Sequence, residues 1–190
     1  MTDYTEKIRK YIEMEKQVLE ALPVNDINTV MNVLENARLS RKRIFICGNG
    51  GSASTAAHFE CDFNKGVSYD QDVKYDFECL SDNVPMMMAI ANDIGYEDIF
   101  VVPLRNKLKP GDLVIGISGS GNSENVVRAI QYANEIGAET IALVGYRGGK
   151  LKELAKHCIH VDIDNMQITE DIHLVLDHMM MYILSGMKGC

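Results

Sequence analysis

The sequence predicts an α/β fold: a doubly wound, five-stranded parallel sheet preceded by two extra N-terminal helices. Three observations lead there. Short apolar runs alternate with amphipathic stretches from residue 42 onward, the pattern of a parallel sheet covered by helices on both faces. Apolar residues recur at helical spacing through the first 40 residues. Glycine- and serine-rich turns follow two of the apolar runs, at the strand tips where such sheets bind ligands.

The first helix is read from Tyr11, Ile12, Val18, Leu19 and Leu22, and the second, after "PVND", from Ile27, Val30, Met31, Val33 and Leu34. A doubly wound sheet does not need this pair, so their apolar stripes are expected to pack against other subunits of a homo-oligomer. The strands are "RIFICG", "YDFECLS", "DLVIGIS", "TIALVG" and "CIHVDID". The methionine-rich "VPMMMAI" and "HMMMYIL" read as core or helix–helix contact. With no repeat and no linker, residues 1–190 form one expected domain: a helical pair over 1–40 and the α/β sandwich over 41–190.

The chain of 190 residues is long enough for one well-buried core. Its net charge of −8 argues against a general nucleic-acid surface, which needs clustered Lys and Arg. It leaves room for a small pocket that takes a phosphorylated metabolite. The five cysteines Cys47, Cys61, Cys79, Cys158 and Cys190 form no C-x-x-C pair and read as free thiols. The N-terminus is charged throughout, unlike a signal peptide, and no apolar run approaches the roughly 18 to 20 residues that span a bilayer. A cytoplasmic protein with no membrane partner is expected.

The first turn, "CGNGGS", places Gly48, Gly50 and Gly51 where a backbone can come close to a ligand, with Ser52 near a helix N-terminus that favours an anion. It lacks the lysine of a nucleotide-hydrolysing P-loop. "GNGGSA" also fits the loosest dinucleotide pattern, but its acidic partner would be Asp82, more than 30 residues past Gly50 rather than about 20. The second turn, "GISGSGNSENV", crowds Ser118, Ser120 and Ser123 around Gly119 and Gly121. Hydroxyls donate hydrogen bonds without adding charge, which suits a reversibly bound phosphate monoester. A capping role alone would need one serine.

"CGNGGSASTAAHF", "GISGSGNSENV" and "IANDIGYEDIF", in this order, resemble the sugar isomerase (SIS) domain family, in its phosphoheptose isomerase branch. The resemblance covers nearly the whole chain. It implies a cytosolic tetramer that converts sedoheptulose 7-phosphate into D-glycero-D-manno-heptose 7-phosphate for surface polysaccharides such as lipopolysaccharide or capsule. It implies phosphate binding by Ser118, Ser120 and Ser123 with Gly119 between them, and sugar contacts from Asn49, Gly50, Gly51, Ser52, Asn92 and Asp93. It further implies a divalent metal, zinc in some members, at His58, Asp62, Glu170 and His178. Asp62 stands where the family has glutamate, Glu170 where it has glutamine, and Gly119 where threonine is usual. Related SIS proteins that associate with the replication initiator keep the loops but lack the terminal histidine, so His178 favours an enzyme. A non-catalytic module that binds a sugar phosphate or a protein, and an isomerase of a different phosphosugar, remain the alternatives.

The residues support this placement, although His58 and Asp62 taken alone would more readily read as an exposed polar face of an amphipathic helix. His58 and Asp62, at i and i+4, share one helix face, in metal-chelating or acid–base geometry. Glu170 and His178 lie eight residues apart, roughly 12 Å along a helix axis, and meet one ion only if their side chains lean together. His173 points elsewhere and reads as structural or interfacial. Isomerisation needs a base, an acid or Lewis acid, and return of the proton. Asp62, Glu170 and His178 are the candidates, and an added carboxylate at Glu170 would strengthen cation binding. Asp62 is shorter than the family glutamate by one methylene, and misplacement of about 1 Å can slow a reaction about 100-fold. The reading adopted is that Asp62 serves as a metal ligand while Glu170 or His178 moves the proton.

Overall fold

Strand β1, Ile44–Cys47, is buried at all four positions. A strand so apolar on both faces must lie inside a sheet that carries helices on either side. The computed structural model describes residues 1–186, so Cys190 lies outside the described residues. Helices α1 (Thr5–Glu20) and α2 (Val24–Leu39) precede β1; α3 (Gly51–Cys61) follows it and runs straight into a π-helical turn over Asp62–Val67. Then come β2 (Phe77–Cys79), α4 (Val84–Asp93), α5 (Val101–Lys107), β3 (Leu113–Ser118), α6 (Glu124–Ile136), β4 (Glu139–Val144), α7 (Gly149–Leu154), β5 (His157–His160) and α8 (Met166–Leu184).

The sheet among the described residues is five-stranded and parallel, in the order β2-β1-β3-β4-β5. The chain moves one way from β1 to β2 and returns to the other side of β1 for β3. The crevice between the C-terminal ends of β1 and β3 is therefore the topological switch point, where open sheets of this kind bind ligands. Cys47 at the tip of β1 pairs with Gly116, so both loops singled out in the sequence leave from this crevice.

Side-chain alternation along β1 feeds two cores. Ile44 and Ile46 pack with Ile27, Val30 and Leu34 of α2, Phe59 of α3, and Ile172, Leu176 and Met180 of α8. Phe45 and Cys47 pack on the opposite face with Leu104, Val126, Ile130 and Leu151. Each fully buried side chain of this size stabilises the fold by about 1.5–3 kcal/mol relative to exposure, so α2 and α8 are held mainly by their apolar faces.

Helix α1 differs. None of its residues is buried; Tyr11, Met14 and Val18 pack partly against the first core, and the Tyr11 hydroxyl donates to Asp171 of α8. Ile8, Ile12 and Leu19 stay exposed. Strand β2 is shorter than its apolar run, Tyr75 to Ser81, leads one to expect. It pairs with β1 alone, and side chains occupy its outer edge. Asn64 donates to the Phe77 carbonyl and accepts from its N–H, both at 2.9 Å, and Glu60 accepts from the Cys79 N–H at 2.7 Å. This covers an edge that would otherwise offer free backbone groups.

Candidate functional site

Gly50, with φ of +56°, turns the chain out of β1 into the first turn of α3. Ser52 is buried within that turn. From β3, Ser118 reaches across to Ser123 with their hydroxyls 3.0 Å apart. Ser123 is the N-cap residue of α6, yet its side chain makes no capping hydrogen bond. The helix is thus not capped by the serines, and a capping role alone does not account for them. The Ser120 hydroxyl accepts from the Asn122 N–H at 3.2 Å. Hydroxyls at the N-terminus of α6 face a crevice that also receives the positive end of α3, an arrangement that favours an anion.

The two loops are tied together. Asn49 donates to Asn125 at 2.9 Å and Asn125 donates back at 2.9 Å. The Tyr96 hydroxyl donates to the same Asn49 oxygen at 2.8 Å. Ser81 bonds both the N–H and the carbonyl of Gly48. Beside this network opens a cavity of about 260 Å³, lined by Asn49, Gly50, Met87, Ala91, Tyr96 and Phe100 among others.

Helices α3 and α8 build the second half of the site. His58 and His178 face each other with their Nε2 atoms 3.0 Å apart, and Asp62 lies 3.5 Å from His58 Nε2. His58, Asp62, Asp177 and His178 each offer one ligand atom, all within 4.8 Å of one another. Tetrahedral ligand nitrogens around zinc stand about 3.3 Å apart, given bonds of about 2.0–2.1 Å, so the histidine pair, within hydrogen-bond distance of each other, needs only a small adjustment to share a cation. Asp177 is fully buried, and neither of its carboxylate oxygens has a hydrogen-bond partner. Burial, with the charge of Asp62 nearby, pushes its carboxyl up to about 8. A buried carboxylate without a donor is costly unless a cation or proton compensates it. The donor set therefore fits a divalent metal.

Glu170 is not part of this group. Two helical turns before His178, its carboxylate lies over Gly51 instead: a Cβ on Gly51 would stand 2.4 Å from Glu170 Oε2. Of the four ligands expected from the sequence, the structure gathers His58, Asp62 and His178. It sets Glu170 against the N-terminus of α3, because eight residues of straight helix separate Glu170 from His178 and Asp177 fills the adjacent place.

Comparisons with known proteins identify the family and the fold. The SIS domain family model matches residues 3–145. A Thermoplasma acidophilum protein named "Probable phosphoheptose isomerase" is 35% identical over 171 residues, spanning 90% of this chain and 93% of that protein. The phosphoheptose isomerase of Helicobacter pylori strain P12 is 33% identical, over 93% of this chain and 88% of its own length. The solved phosphoheptose isomerase of Neisseria gonorrhoeae superposes with a TM-score of 0.89 at 26% identity, covering 97% of this chain and 100% of that one. The chain belongs to the SIS domain family, in its phosphoheptose isomerase branch.

Within that SIS frame, the structure also shows where the remaining expected residues fall. Asn92 and Asp93 are exposed at the end of α4 and bond each other at 2.7 Å; neither lines the cavity beside Asn49. Gly119 leaves a space that Met166 fills, since a Cβ there would stand 2.7 Å from the Met166 sulfur. The Met166 sulfur accounts for a residue without a side chain at this position, where the sequence resemblance implied threonine. Asn125, Tyr96, Ser81 and Asp177 were given no role from the sequence. Asn125 lies inside the quoted serine loop and Asp177 beside His178, so both carried a positional signal. His173 is buried and without a satisfied ring nitrogen; burial lowers its imidazole to about 4.

Proposed function

We propose that the chain is a phosphosugar aldose–ketose isomerase, converting sedoheptulose 7-phosphate into D-glycero-D-manno-heptose 7-phosphate through an enediolate. The observation that carries this reading is a serine loop free of capping duty at the switch point, beside a turn that Glu170 overlies, with a histidine–carboxylate cluster further along the same helices α3 and α8. Ser118, Ser120 and Ser123 bind the phosphate, with Gly119 between them packed against Met166. Asn49, Gly50, Gly51 and Ser52 frame the sugar next to them. Curated relatives covering about nine-tenths of this chain are named for the same activity.

His58, Asp62 and His178 would hold a divalent cation, zinc in our reading, as carboxylate and imidazole ligands do. When bound, the ion polarises a carbonyl oxygen as a Lewis acid. Asp62 then serves as a ligand, and Glu170 or His178 carries the proton between the two carbons. We read the whole chain as one SIS unit in a cytoplasmic homotetramer that supplies heptose for surface polysaccharide. The exposed Ile8, Ile12 and Leu19 of α1 and Val84, Met88 and Ile94 around α4 support subunit contacts, and sites at those contacts would give the exposed Asn92 and Asp93 a sugar to meet. Among the described residues no helix is long and apolar enough to cross a membrane.

The test is isomerisation of sedoheptulose 7-phosphate by the purified protein, followed by Asp62→Asn and Glu170→Gln variants. Turnover that fails on this substrate while other phosphosugars are isomerised moves the substrate but keeps the reaction. An inactive Asp62→Asn protein that still holds metal, beside a fully active Glu170→Gln protein, overturns the assigned roles.

A further inference from the structure

Asp177 is the feature that neither the family pattern nor the sequence reading uses. It is a carboxylate on α8 with 0% exposure, both oxygens unpartnered, aimed at the space between two histidines and a second carboxylate. Protein interiors rarely leave such a group uncompensated. The ring of His173, one turn earlier on the same helix, makes no hydrogen bond to it, and Asp62 adds like charge. Within reach of its oxygens lie the His58, Asp62 and His178 ligand atoms, and both histidines are exposed residues, so an ion can enter from solvent.

We propose that the divalent cation of this protein is held by His58, Asp62, Asp177 and His178, and that Glu170 is not a ligand but stays over Gly51, facing the sugar. The proposal rests on reading the cluster as the metal centre of the isomerase, and it changes what two residues do. Two carboxylates and two imidazoles give the ion a neutralising shell, richer in hard oxygen than a site with one carboxylate, which widens the set of divalent metals that fit. Asp177 also offsets the shortness of Asp62, because a second carboxylate reaches the ion from the facing helix. Glu170, released from coordination, stays beside the turn that frames the sugar, where a carboxylate base would have to be.

The experiment uses the full chain, stripped with chelator and reloaded with Zn²⁺, Mn²⁺ or Co²⁺. Bound metal is measured by elemental analysis, and unfolding temperature is recorded with and without metal. Wild type should hold one ion per chain and melt higher when loaded, since an ion that binds only the folded state stabilises it. Asp177→Asn should weaken metal affinity by about 10- to 100-fold or more and lose most of the thermal shift. Asp177→Leu, with its buried carboxyl and two unpartnered oxygens removed, should melt at or above the metal-free wild type while showing no metal-induced shift. Glu170→Gln should keep affinity within about twofold and leave the Co²⁺ absorption bands unchanged, as expected when the ligand shell is untouched.

Loss of metal or altered Co²⁺ bands in Glu170→Gln, with Asp177→Asn still loaded, overturns the proposal. So does a wild type whose unfolding temperature ignores all three metals, which would mark Asp62 and Asp177 as a proton-sharing pair. If the Asp177 variants do not fold, lost metal or altered Co²⁺ bands in Glu170→Gln by themselves overturn the proposal, because it requires that Glu170 is not a ligand. Because every readout is metal content, absorption or melting, a correct metal assignment in a protein that fails to isomerise sedoheptulose 7-phosphate would sink only the substrate reading.

Discussion

Asn49 and Asn125 exchange both side-chain amide hydrogen bonds, each 2.9 Å long, across the crevice between β1 and β3. The pair locks the glycine loop to the first turn of α6, so both anion-binding turns present their N–H groups from one rigid frame. Its rigidity matters because catalytic advantage depends on placement to within about 1 Å.

Breaking that pair with Asn125→Ala leaves the Asn49 amide partly unsatisfied. Asn49 is half-buried and keeps its bond from Tyr96, so each lost hydrogen bond costs about 0.5–1.5 kcal/mol and the unfolding temperature should fall. The KM for phosphosugar should rise, with a smaller change in kcat, because the loops bind rather than react. Steady-state kinetics alongside thermal denaturation check this; an unchanged KM would remove Asn125 from the site.

Ser118→Ala and Ser123→Ala each remove one of two hydroxyls that stand 3.0 Å apart. Hydrogen bonds to a charged group contribute about 1.5–3 kcal/mol, so each variant should lose about 10- to 100-fold in phosphosugar affinity. Inorganic phosphate should compete less well by the same factor. Neither hydroxyl caps α6, so the melting temperature should barely move. A large loss of stability instead would return these serines to a structural role.

Gly51→Ala sets a Cβ where the Glu170 carboxylate now lies, at 2.4 Å from Oε2. Glu170 must swing away, and a displacement of about 1 Å at a reacting group can slow turnover about 100-fold. The expected result is a fall in kcat with metal content unchanged. A fully active Gly51→Ala protein would show that Glu170 has no part in the chemistry.

His173 supplies a pH dependence with a definite sign. Its imidazole sits at about 4 in the folded chain against an ordinary 6.5, so between those values the unfolded state binds more protons. The neutral, buried ring therefore contributes stability above pH 6.5 that is lost as pH falls toward 4. Asp177, raised to about 8, acts in the opposite sense: its contribution is present at low pH and lost as pH rises toward 8. The clean measurement is consequently a comparison of variants. From pH 6.5 to 4.5, wild type should lose on the order of 2 kcal/mol more than His173→Leu, read from denaturant unfolding at each pH. Equal losses would place the His173 ring in contact with solvent.

Much of this protein was legible in its residues. Short, continuous apolar runs separated by amphipathic stretches determined the α/β sheet, because a strand such as Ile44–Cys47, apolar on both faces, is stable only under two layers of helices. Glycine and serine at the ends of two strands marked the anion site, because backbone chirality and hydroxyl chemistry act locally. The i, i+4 spacing of His58 and Asp62 was enough to place both on one side of the helix. The partners of those residues were decided only in three dimensions. Whether Glu170 or Asp177 joins the histidines depends on how α8 lies along α3, a matter of long-range packing through Phe59, Ile172 and Leu176. In the same way, the Asn49–Asn125 bond depends on strands β1 and β3 becoming neighbours, although 76 residues separate its ends. Local sequence sets which chemistry each segment can offer; the folded packing alone selects which offers meet.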